Sequence, residues 1–133
     1  MLFSLPKDCF PETANITAFI AQPSGLSYTV EGQTLNFVWT YTLASTVGLA
    51  KFIIVSSNGT ESSIGHRFGT GVITVKPKYQ TRFRAQATNT TAELRILAVQ
   101  RSDQATYRME IFPSDDSEKG LEFNVVVIVN CKC

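Results

Sequence analysis

With 133 residues, the chain can form one domain around a single core. Its formal net charge of +1 generates no field that would draw nucleic acid or acidic lipid from a distance. Its 15 Thr, 11 Val and 9 Ile exceed a quarter of the residues, and 14 more are aromatic, a mixture that favours half-buried pleated strands over helices.

No long window carries the apolar spacing of an amphipathic helix; alternation recurs instead. Residues 16–21 and 26–30 form two short predicted strands broken by Pro23-Ser24-Gly25, and Glu31-Gly32 is a turn. Across 33–43, Leu35, Phe37, Trp39, Tyr41 and Leu43 share one parity while Asn36, Thr40 and Thr42 share the other. Residues 49–57 form a strongly apolar strand, and Asn58-Gly59, the preferred pair for a two-residue hairpin turn, sends the chain back through 60–67. Gly69, Gly71 and the alternating stretch Val72–Val75 lead to Pro77. Short strands follow at 82–85 and 92–97, separated by the turn Asn89-Thr90, with Leu94 and Ile96 on one face. After the polar turn Ser102-Asp103-Gln104, residues 106–112 place Tyr107, Met109 and Ile111 on one face. A charged loop over 113–120 precedes the last strand, 122–130. Strands at this spacing with turn signals between them predict an all-β sandwich or barrel. Residues 1–14 are expected to be an N-terminal extension, 15–130 the domain, and 131–133 a tail toward a following domain.

The longest uninterrupted apolar run is Val125–Val129, too short to span a membrane as a helix. Pro6, Lys7 and Asp8 interrupt the apolar residues of 1–10 before they amount to a secretory h-region, so the sequence reads as a mature or excised module. His66 is the single histidine and cannot supply a multi-His metal site; no metal and no cofactor is expected. No nucleophile–base spacing, paired-carboxylate arrangement or phosphate-binding glycine loop stands out, and Gly69-Thr70-Gly71 is more simply a turn, so no enzyme is expected. Three sequons, at Asn15, Asn58 and Asn89, all lie beside predicted turns and point to an extracellular glycoprotein. Cys9, Cys131 and Cys133 lie at the two ends, and their odd number leaves at least one without an internal partner.

The segment Leu94-x-Ile96-x-x-Val99-x-x-x-Asp103-x-Ala105-x-Tyr107 resembles the E-to-F region of immunoglobulin V-set domains, where an Asp-x-Ala/Gly-x-Tyr motif builds a tyrosine corner. Glu31-Gly32-x-x-Leu35-x-Phe37-x-Trp39 resembles strand B, and Arg82-Phe83 the start of strand D, whose Arg pairs with the motif Asp. The resemblance covers roughly residues 16–130. The family's cysteine positions are held here by Trp39 and Met109, and its strand-C Trp position falls near Phe52, so it implies a two-sheet antiparallel sandwich without a central B–F disulfide. An indole against a thioether offsets part of that loss, since sulfur–aromatic contact contributes ~0.3–1.5 kcal/mol against the ~4 kcal/mol of a disulfide closing so long a loop. V-set-like domains lacking these residues resemble the membrane-distal domains of colonial-hydroid allorecognition receptors. That resemblance implies the ectodomain of a type I membrane receptor that binds the same protein on an opposing cell.

In a V-set sandwich the sheet of strands G, F, C and C′ is the face to inspect. With Phe52 inward, pleat parity sends Ile53 and Val55 outward; with Tyr107, Met109 and Ile111 inward, Arg108 and Glu110 point out; on the last strand Val126 and Ile128 remain outside. These six residues make a candidate interface, an apolar patch with one charge of each sign that suits a two-fold contact in which one copy's Arg meets the other's Glu. The competing reading is that Leu2, Phe3, Leu5 and Phe10 of the extension fold over the patch. Arg82 and Asp103 are expected to pair, and the basic run Lys76, Lys78, Arg82, Arg84 to be a solvated strand edge. A Cys9–Cys131 or Cys9–Cys133 bond requires the extension to run back along the domain; alternatively Cys131 and Cys133 pair with a following domain. The expected activity is homophilic cell–cell recognition. Heterophilic receptor or decoy binding, and a carbohydrate-binding sandwich using Tyr79 and Phe112, are the alternatives.

Overall fold

The structure is a computed structural model that describes residues 16–115 and 117–131. The strands are β1 (Ala18–Ala21), β2 (Leu26–Val30), β3 (Leu35–Thr42), β4 (Val47–Val55), β5 (Glu61–Phe68), β6 (Gly71–Ile73), β7 (Phe83–Ala87), β8 (Thr91–Ile96), β9 (Ala105–Pro113) and β10 (Leu121–Asn130). Two short 3-10 turns, Pro77–Tyr79 and Arg101–Asp103, join β6 to β7 and β8 to β9. The strands form two five-stranded sheets, in the order β1-β3-β8-β7-β6 for the first and β2-β10-β9-β4-β5 for the second. The fold is thus the expected all-β sandwich.

The pairings are antiparallel except that β2 runs parallel to β10, with Leu26 opposite Val126 and Val30 opposite Asn130. The exception arises at Pro23-Ser24-Gly25. Pro23 has no N–H for a ladder, and the break lets β1 stay with β3 in the first sheet while β2 crosses to the second. A similar crossing occurs after β5, where Gly65 bridges Val75. A Cβ at Gly65 would stand 2.7 Å from the Thr74 carbonyl oxygen, so only glycine permits that approach. At the tip of the β4–β5 hairpin the turn differs from the two-residue form expected of Asn58-Gly59. Ser56 and Thr60 still pair (N···O 3.0 Å), leaving a three-residue loop that closes with Gly59 at φ 88°. The Asn58 side-chain oxygen accepts from the Ser56 hydroxyl (2.6 Å) and the Thr60 N–H (3.0 Å), which favours the longer loop.

Alternation along each strand sends one parity into the space between the sheets. Phe37, Trp39 and Tyr41 of β3 meet Phe52, Tyr107, Met109 and Ile111 of the second sheet in a single buried cluster. Trp39 lies 5.8 Å from the Phe52 ring and Phe52 is the cross-strand partner of Met109, so these three carry apolar contact from one sheet to the other. The Trp39 indole N–H is buried without a hydrogen-bond partner among the described residues, a cost of about 1–3 kcal/mol.

The end of the sandwich is closed by a polar corner. The Tyr107 hydroxyl donates to the Asp103 carbonyl, and the buried Asp103 carboxylate accepts a fork of two bonds from Arg82, one of 2.8 Å, plus the Gln100 N–H at 2.7 Å. The expected Arg82–Asp103 pair is therefore present. Its fork, with the shared neutralisation, is what makes a buried carboxylate tolerable there. Burial pushes the Tyr107 and Tyr41 phenols well above their ordinary range.

Candidate interaction face

The outer surface of the second sheet is built from cross-strand rows. One end carries Phe68, Leu49 and Phe112, paired across β5, β4 and β9. The next row runs His66, Lys51, Glu110, Glu122 from β5 to β10. Below it lie Ser63, Ile53, Arg108 and Asn124, then Glu61, Val55, Thr106, Val126 and Leu26. Ile128 and Tyr28 complete the apolar end on β10 and β2.

The structure revises the expected patch. Ile53 holds the predicted register beside Arg108 but is only 5% exposed, and it lies outside the core cluster. It is therefore a buried residue beneath the face and not an exposed contact. Strand parity could not show this, because parity gives the side of the sheet and not the depth of cover. Val126 is 39% exposed, while Val55 and Ile128 are half-buried.

Arg108 is likewise occupied. Its side chain is 19% exposed and holds Glu61 at 3.1 Å, Glu110 at 3.5 Å and Glu122 at 3.7 Å, and it donates to Asn124 at 3.1 Å. The Glu61 hydrogen bond, above all, keeps the guanidinium charged. A partner's carboxylate is not needed to satisfy it, and Glu110 is already engaged by it.

Sequence reasoning missed the larger share of the apolar surface. Tyr28 is 70% exposed and Phe68 is 74% exposed, and Leu26, Val30 and Phe112 also face solvent. The alternation Leu26, Tyr28, Val30 was a visible signal, but the sheet that β2 joins was not.

Asn58 and Asn89 are both exposed at turns, and the Asn89 side-chain oxygen accepts the Val47 N–H at 2.9 Å, leaving its amide nitrogen free of that bond. Asn15, Cys9, Cys133 and the extension 1–14 lie outside the described residues. Cys131 is exposed at the end of β10, with the Arg101 guanidinium beside its sulfur. No helix among the described residues is long and apolar enough to cross a membrane.

No protein-family model matches the chain, and no curated protein matches it. Among solved structures, 1978 chains match, which marks the sandwich as a widely shared scaffold. One belongs to a structure described as "Structural basis of T cell specificity and activation by the bacterial superantigen toxic shock syndrome toxin-1". It superposes with a TM-score of 0.70 over 86% of this chain and 100% of that chain, at 9% identity. At that identity the likeness establishes the fold alone, and function must be argued from the surface.

Proposed function

We propose that this chain is an extracellular V-set-like recognition module that binds a second copy of itself on an opposing cell, as the resemblance to allorecognition receptors implies. The order β1-β3-β8-β7 follows the A-B-E-D sheet of immunoglobulin domains, and β10-β9-β4-β5 follows the G-F-C-C′ order of variable-type domains. The Tyr107–Asp103–Arg82 corner adds to that reading. The observation that carries the function is the outer face of the second sheet. An antiparallel sheet facing water is expected to be polar there, yet Leu26, Tyr28, Val126, Phe68 and Phe112 are exposed on it around a band of charge.

The test is clumping of beads coated with this chain alone, with sedimentation of the free protein. Wild-type beads clump, and Val126→Asp beads do not although the variant melts as the wild type does. Beads that stay dispersed at high coating density would refute self-recognition. Beads that clump only with cells lacking this protein would favour a heterophilic partner instead.

A further inference from the structure

In one cross-strand row of this face the charges are sorted by strand. Lys51, beside His66 of β5, stands on β4, whereas Glu110 and Glu122 stand on β9 and β10. Lys51 is half-buried and forms no ion pair with any described residue, although two carboxylates share its row. Those carboxylates turn instead to Arg108 in the next row, which also serves Glu61. Among the described residues one guanidinium thus serves three carboxylates, while Lys51 on the other half of the sheet pairs with none. Beside Glu110 and Glu122 lies a recess of about 310 Å³, lined also by Phe112, Lys119, Gly120 and Leu121.

We propose that two copies meet with their two-fold axis along the strands, so that Lys51 of each copy enters the recess between Glu110 and Glu122 of the other. This rests on the self-recognition argued above and specifies how it is built. Rotation about such an axis reverses the strand order and keeps the rows level. The row then lies on itself in reverse, and Lys51 of each copy faces the carboxylates of Glu110 and Glu122 of the other. The same rotation carries Leu49 toward Phe112 and Val55 toward Val126, so apolar residues meet on either side of the charged row.

The other two-fold arrangements lack this match. An axis across the strands inverts the rows and sets Phe68 of one copy toward Glu61 of the other. An orthogonal seat, the second common way for sheets to pack, crosses the two charged rows so that they meet only at their middles.

The experiment uses the whole chain in sedimentation and bead clumping, as wild type, as K51E, as E122K, and as an equimolar mixture of the two variants. Each variant alone sets like charges against each other and weakens self-association by about 10-fold or more. The mixture restores it, because both contacts in the mixed dimer are again between opposite charges. Wild type that associates while the mixture stays as weak as its components would overturn this seat and leave self-recognition standing. Wild type that fails to associate overturns both. K51Q covers the case in which K51E does not fold. It weakens association less and flattens its dependence on salt, whereas unchanged affinity with unchanged salt dependence counts against the seat.

Discussion

The two outer faces of the sandwich come from the same alternating pattern and differ in what they do with it. On the first sheet, the row Asn36–Arg95–Arg84 is polar and the row Val38–Glu93–Gln86–Val72 sets a polar middle between two exposed valines, with Gln86 donating to Glu93 at 2.9 Å. Arg95 there is 47% exposed and lies 3.7 Å from one carboxylate. On the second sheet Arg108 is far less exposed, is shared by three carboxylates, and is framed by apolar ends. The first face even has the larger recess, about 510 Å³ against about 310 Å³, so hollowness does not separate them. What separates them is how charge is embedded. The first face leaves Arg95 in water beside one carboxylate, whereas the second sinks Arg108 among three.

That contrast can be broken by substitution. Arg108→Ala leaves Glu110 half-buried without its guanidinium and is expected to lose about 2–3 kcal/mol in urea unfolding. Arg95→Ala is expected to stay within about 0.5 kcal/mol, as exposed pairs do. Equal losses would erase the distinction between the faces.

A smaller effect is expected in association. Val126→Asp weakens self-binding by about 10-fold, while Val38→Asp on the first face leaves it unchanged. If Val38→Asp is the disruptive change, the binding face has been assigned to the wrong sheet.

Smaller still for each residue is an effect that reads the interior between the two faces. The Tyr41 and Tyr107 phenols are raised by burial, so the folded state resists their ionisation. Their contribution is complete below the unfolded phenol value of about 10 and is lost as pH rises above it, by about 1 kcal/mol per phenol by pH 11. Denaturant melts at stepped alkaline pH should show this fall, and a flat profile would place both phenols in contact with water.

Much of the fold was legible in the residues. The one-sided alternation of β3 fixes its buried parity, and the Asp103–Tyr107 spacing with Arg82 anticipates the polar corner, since these depend on local pattern. The face was legible only in part. Parity placed Arg108, Glu110, Val126 and Ile128 on the outer side, but it does not give the depth at which Ile53 is buried, and saturation of Arg108 depends on side chains that reach across strands. That Lys51 pairs with no described carboxylate was equally invisible, because an ion pair is decided by which of several nearby acids turns toward which base. The crossing of β2 to the second sheet hangs on a three-residue break that does not encode its destination.

That crossing also governs how the domain bears load. Because β2 and β10 run parallel, a pull on the chain before Leu26 and on Cys131 drags the two strands past each other lengthwise. Their hydrogen bonds then resist together, as fibres in a lap joint do, instead of opening one at a time from an end. Tension applied at those two points is carried by the strand pair that also presents Leu26, Tyr28 and Val126 to solvent.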